Sequence, residues 1–188
     1  MIRDNAPSYV DRLGLAQTHQ TDYRYSDITA SDSQGVIRPA VNEWACLLFD
    51  IVSIFEHAEG RAASVPQKRS IYFEAVRQGV MRATCFVLDH EDLGNRVVAR
   101  ILGSDNRLVY VGIDQLVRIG DRPPGYYAVG DQEYRGRVNA RLEQCAVRDA
   151  AGHFRHIGLG GELLHDSMPG LDLTHVMSYR LYRIGRPE

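Results

Sequence analysis

The sequence predicts a single α+β domain in which one long, nearly all-apolar helix, residues 39–58, is covered by antiparallel β-strands. Three observations predict it. Val41, Trp44, Ala45, Leu48, Ile51, Val52 and Phe55 recur at helical spacing and form a core-facing stripe. Beyond residue 70 the apolar period reads as two, the period of strands. The 188 residues, 44% hydrophobic and 24% charged, suit one domain with a sizeable core.

Taken in order, residues 1–22 are polar and mixed, an arm or a short helix around Tyr9–Leu15. A short strand is expected over Asp22–Asp27, then a loop of small polar residues from Thr29 to Gly35. Pro39 opens the helix, because its missing N–H has no partner in a first turn. Leu47, Phe49 and Ile54 are apolar off the stripe, so the helix needs cover on more than one side. Its polar residues are sparse, Glu43, Asp50, Ser53 and His57 among them follow helical spacing, and Gly60 suits a C-cap. A polar loop over 61–69 leads to expected strands at Ile71–Val76, Val80–Asp89, Asn95–Leu102 and Leu108–Ile119. Gly103–Asn106 reads as a turn, and Gly112 as a bulge or a close approach within its strand. Residues 120–136 read as an ordered crossing loop, Val138–Arg148 and Phe154–Leu164 as a hairpin, and Val176–Ile184 as a last strand.

Charge and composition narrow the function. A net charge of −2 and a pI near 6.4 argue against nucleic acid and anionic membranes as partners. Cys46, Cys85 and Cys145 lie far apart without a C-x-x-C pair, as expected of reduced thiols in a cytoplasmic protein. The N-terminus lacks a signal-peptide pattern, and no apolar run is long enough to span a membrane. His153 and His156 would point to opposite faces of a strand, a poor chelate, so no metal is expected from them or from His165 and His175. Gly158–Gly161 lacks the Lys-Ser/Thr of a phosphate loop, and no cofactor is expected. There is no Gly-x-Ser-x-Gly elbow.

The order of elements over residues 22–119 resembles a hotdog domain of the 4-hydroxybenzoyl-CoA thioesterase type. The resembling text is Ser31-Asp-Ser-Gln-Gly-Val36 before the helix, then Ile71-Tyr-Phe-Glu-Ala-Val-Arg77, Arg82-Ala-Thr-Cys-Phe-Val-Leu-Asp-His90 and Asn106-Arg-Leu-Val-Tyr-Val-Gly112. Ile37-Arg-Pro39 departs from the aromatic residues that the family carries after the glycine. The resemblance implies a hotdog-like antiparallel sheet wrapped around one central helix; residues 120–188 have no counterpart in a minimal hotdog and are expected as a C-terminal strand extension of the same domain that extends the sheet or caps the helix. It also implies an acyl-thioester hydrolase acting on acyl-CoA or an acyl carrier protein, as a homodimer or dimer of dimers.

Such chemistry needs a carboxylate that attacks the carbonyl or activates water, and donors for the developing oxyanion. By the family's pattern Asp32 is the acid of the loop, Gly35 and Val36 supply amides near the helix, and Glu43 or Asp50 is a carboxylate carried on the helix. Each has a structural alternative. Asp32 suits a turn or helix cap, Glu43 a partner of the helix dipole, Asp50 a buried ion pair with an arginine, and His57 the negative end of the helix. Two further readings stand beside hydrolysis: an NTF2-like dehydratase, isomerase or cyclase, and a non-catalytic ligand-binding hotdog protein.

Overall fold

The computed structural model describes residues 9–10, 16–17, 20, 22–114, 125–134, 137–148, 154–156 and 176–187, with side chains described at 20, 22–112, 125, 127 and 180–187. The chain is α+β. Two small hairpins pair β1 (Tyr9–Val10) with β2 (Ala16–Gln17) and β3 (Thr29–Ser31) with β4 (Ile37–Pro39). A helical region follows: α1 (Ala40–Trp44), α2 (Cys46–Glu59), α3 (Val65–Arg77), α4 (His90–Asp92), a π-helical segment over Leu93–Val98, and α5 (Ala99–Leu102). The remaining strands are β5 (Arg107–Asp114), β6 (Tyr126–Tyr134), β7 (Arg137–Arg148), β8 (Phe154–His156) and β9 (Val176–Gly185). They form one antiparallel sheet in the order β5-β9-β6-β7-β8.

The central helix lies where the apolar stripe puts it, interrupted once. Ala45, at φ −86° and ψ 17°, separates α1 from α2. Gly60 closes α2 in the left-handed conformation at φ 65°. Ten of the fourteen residues of α2 are buried, Asp50, Ser53 and Glu56 among them. The helix packs against β6, β7 and β9 on one side and against the π segment on another. Among the described residues it is thus enclosed by helices as well as by a sheet, and no sheet wraps it.

Four expected strands are corrected. Residues 71–76 belong to α3, whose start is a capping box: Ser64 Oγ accepts from the Gln67 amide, and the Gln67 side chain accepts from the Ser64 amide. Its buried residues Lys68, Ile71, Tyr72 and Ala75 have helical spacing. Residues 95–102 belong to the helical run from His90 to Leu102, capped by Asp89 at its start and by Gly103 at φ 64° at its end. Residues 80–89 form an irregular loop held by a single bridge between Met81 and Val87. The expected strand at 22–27 contains a 3-10 turn, Tyr23–Tyr25, capped by Asp22. The loop expected at 29–35 includes β3, the arm at 9–15 starts with β1, and the loop expected at 120–136 contains β6. The strands expected at 108–119, 138–148 and 176–184 coincide with β5, β7 and β9 where residues are described, and β8 is the described part of 154–164. Gly112 does mark a bulge, with φ 127° at a register shift.

The helices are tied to each other and to the sheet by polar groups. Lys68, the only lysine in the sequence, is 3% exposed and places Nζ 2.9 Å from Glu56 Oε1, joining α3 to α2. The ammonium also lies 5.0 Å from the centroid of the Phe49 ring. Glu59 accepts from Ser104 and from Asn106, and Arg61 donates to the Leu102 carbonyl, which pins the end of α2 to the turn before β5. Asn95 works as a surrogate strand: Nδ2 donates to the Leu108 carbonyl at 2.8 Å, and Oδ1 accepts from the Leu108 amide at 2.7 Å. Glu91 accepts from the Tyr110 amide one pleat further along. Gly94 allows this approach, since a Cβ there would meet Leu108 Cδ2 at 2.7 Å.

The buried pair gives a stability prediction. Lys68→Met leaves the Glu56 carboxylate uncompensated in the core and is expected to lower unfolding stability by about 3–5 kcal/mol in urea titrations. Adding Glu56→Gln removes the stranded charge and recovers most of that loss. A double variant no more stable than Lys68→Met alone would contradict this account.

Candidate functional site

A cavity of about 490 Å³ opens where the β3–β4 hairpin, the α1–α2 junction, the 81–87 loop and the sheet meet. Its lining includes Asp32, Glu43, Trp44, Cys46, Leu47, Cys85, Phe86, His90 and Arg180. Asp32 and Glu43 are therefore brought to one cavity, whereas Asp50 is buried on α2 and does not line it.

The hairpin loop fixes Asp32. Its Oδ1 accepts from the Gln34 and Val36 amides, both at 2.9 Å, and its Oδ2 accepts from Arg38 Nε at 2.9 Å. The Arg38 guanidinium, helped by the Val36 amide, holds this carboxyl below its ordinary range. Arg38 also faces Glu43 at 3.8 Å and so links the two carboxylates. The amides expected to serve an oxyanion are engaged inside the turn: Val36 donates to the Asp32 side chain, and Gly35, at φ 78°, donates to the Asp32 carbonyl at 3.0 Å.

A tight turn forms another part of the wall. The Cys85 amide donates to the Arg82 carbonyl at 2.8 Å, and the Arg82 amide donates to the Phe86 carbonyl at 2.9 Å. Cys85 takes φ 60°, a conformation uncommon outside glycine, and its thiol donates to the Ala40 carbonyl at 3.6 Å. Burial, with the neighbouring Cys46 charge, pushes the Cys85 thiol up to about 12, so it remains protonated at neutral pH.

The third component was not singled out from the sequence. Tyr110, Tyr182 and Tyr127 are direct cross-strand partners on β5, β9 and β6, so they form a row on one face of the sheet. His90, the first residue of α4, stacks on Tyr110 with centroids 4.8 Å apart, and its Nδ1 lies 2.5 Å from the Tyr182 hydroxyl. Burial first, and the charge of Arg180 second, lower the pKa of His90, while Asp89 opposes them. The shift favours the neutral ring. Arg180 precedes Tyr182 by two residues on the regular part of β9 and so shares its face of the sheet. The alternation of Arg180 and Tyr182 was visible in the sequence, but nothing local links them to a histidine some ninety residues earlier. The side chains of His153, His156, His165 and His175, and of Cys145, lie outside the described residues.

His90 supplies a pH prediction. Its folded-state pKa is below the ordinary 6.5, so the unfolded chain binds the proton more readily in that window. The contribution to stability is complete above pH 6.5 and is lost as pH falls through the folded-state value. NMR titration of the His90 ring is expected to give a midpoint below 6.5, and His90→Gln to flatten the stability profile between that midpoint and 6.5. A midpoint at or above 6.5 would refute the assignment.

Comparison of the chain with protein-family models, with curated proteins and with solved structures gives no match.

Proposed function

We propose that the chain is an acid–base enzyme of the dehydratase, isomerase or cyclase kind, acting on a small molecule held in the cavity beside His90. One observation carries this reading: a histidine on the cavity wall, oriented by a hydrogen bond to a buried tyrosine. A general base must be unprotonated at the working pH and fixed in direction. Burial supplies the first property, and Tyr110 with Tyr182 supplies the second. In the tautomer that donates Nδ1–H to the Tyr182 oxygen, Nε2 keeps its lone pair and is the atom that accepts the substrate proton. Asp32 and Glu43, paired through Arg38, add polar groups to the same cavity. The scaffold agrees with an NTF2-like arrangement in one respect, since α2, α3 and the helical run to Leu102 precede the large sheet.

Thioester hydrolysis on a hotdog-like scaffold is the second reading. It is favoured by Asp32 and Glu43 lining the same cavity, and it carries with it acyl-CoA or carrier-protein substrates and a homodimer. It ranks second because both Asp32 oxygens and the Gly35 and Val36 amides already have partners within the hairpin. The segments at 71–77 and 82–90 that resemble hotdog strands are helix and loop here.

Two assays separate these readings. In D2O, a panel of small β-hydroxy and unsaturated carbonyl compounds is expected to take up solvent deuterium with the wild type. His90→Gln is expected to lower that rate by about 10²-fold or more, and Tyr182→Phe by a smaller factor. No uptake by the wild type, or full activity in His90→Gln, would overturn the acid–base reading. Thiol release from an acyl-CoA panel, lost in Asp32→Ala and kept in His90→Gln, would establish hydrolysis instead.

A further inference from the structure

We infer that the outer face of the helical region binds a small phosphomonoester with a neutral planar body, its phosphate among Arg77, Arg96 and Arg100 and its body against Phe73. This site shares no residue with the cavity beside His90 and does not rest on the acid–base reading. Two open hollows are lined by α3 and the helical run together, and both include Arg77 and Arg100. The first, about 580 Å³, adds Gln78, Asn95 and Arg96, so it holds three guanidiniums and no carboxylate. Arg77 and Arg100 stand in the last turns of α3 and α5, where the helix dipole favours a cation. The helix ends thus offset part of the repulsion among the guanidiniums and keep the cluster assembled.

Donors remain for an anion. The Arg100 guanidinium makes no ion pair or hydrogen bond among the described residues. Arg96 commits only Nη1, to Asp92 at 2.8 Å. Arg77 commits Nε and Nη2 to Glu74 and keeps Nη1. A carboxylate offers two oxygens and one charge, whereas a phosphomonoester offers three terminal oxygens and a charge of about −1.5 to −2. The phosphate therefore suits three guanidiniums in one hollow better. The second hollow, about 570 Å³, takes the rest of the ligand. Phe73 lines it and is 53% exposed, with half-buried Ile101 in the same wall. Glu74 lines it too, and hydrogen bonds from Arg77 and Gln78 hold its carboxyl down to about 2, so the part of the ligand lying there is neutral. Both hollows are within the size range that accepts small organic ligands.

Isothermal titration calorimetry of the full chain compares phenyl phosphate, inorganic phosphate and benzoate. Phenyl phosphate is expected to bind with a Kd about tenfold or more below that of either other probe. Arg100→Met should raise that Kd about tenfold, and Phe73→Ser should weaken phenyl phosphate while leaving inorganic phosphate unchanged. Both side chains are exposed, so the fold does not depend on them. No binding of phenyl phosphate, benzoate held as tightly, or an unchanged Kd in Arg100→Met would each overturn the inference. Inorganic phosphate held as tightly as phenyl phosphate, or Phe73→Ser without effect, would overturn the planar body. A tyrosine-phosphorylated peptide bound about tenfold tighter than phenyl phosphate would overturn the small-molecule occupant in favour of a protein partner. The wild-type comparison stands even if a variant fails to fold.

Discussion

The Glu56–Lys68 ion pair is the constraint around which the helical region is arranged. Both groups are almost fully buried, so each would carry a desolvation cost of several kcal/mol without the other. The helices must therefore keep the 2.9 Å separation that lets the charges offset one another. Apolar contacts alone tolerate sliding and repacking, whereas a buried ion pair admits few alternatives. The pair fixes the approach of α3 to α2, and the Phe49 ring closes over the ammonium on the α2 side. Tyr25, packed edge-on against Phe49 at 5.4 Å, carries the same constraint to the segment that leads into the β3–β4 hairpin.

From there the cavity follows by mechanical connection. The hairpin brings Asp32 to the N-terminal end of the central helix, and the break at Ala45 lets α1 and α2 each contribute to the wall. The loop after α3 delivers Cys85 and Phe86, and Asp89 then starts the helix that presents His90 to the tyrosine row. Every wall of the cavity thus comes from a different segment. The proposed base and its tyrosine partner sit where the helical region meets β9.

The central helix was legible in the sequence because its burial is encoded locally, in a run whose spacing and C-terminal glycine agree. The later strands β5, β7 and β9 were legible for the same reason. Alternation misled at Ile71–Val76, where Ile71, Phe73 and Ala75 fit a strand as well as Ile71, Tyr72 and Ala75 fit a helix. The deciding signal was upstream, in Ser64, Pro66 and Gln67, an N-terminal capping sequence that a reading of hydrophobic period alone passes over. Asp89 and Gly103 bracket the His90–Leu102 run in the same way. Its apolar residues Leu93, Val97 and Val98 follow the wider turn of a π-helix and imitate a short apolar strand. The carboxylates Asp32 and Glu43 were found because they flank the helix. His90 and Tyr182 were not, because their pairing depends on how β9 is registered against β5.

The side chains of Asn95 and Glu91 have a consequence for assembly. β5 is an edge strand, and an edge is where a second sheet would add on. Here the outward amide and carbonyl of Leu108 and the amide of Tyr110 are already hydrogen-bonded to the helical run beside them. A second copy seeking to continue the sheet across β5 would first have to displace Asn95, and with it the helix that carries His90. Self-association through that edge would therefore dismantle the cavity, so any dimer that preserves the site has to be built on a different surface.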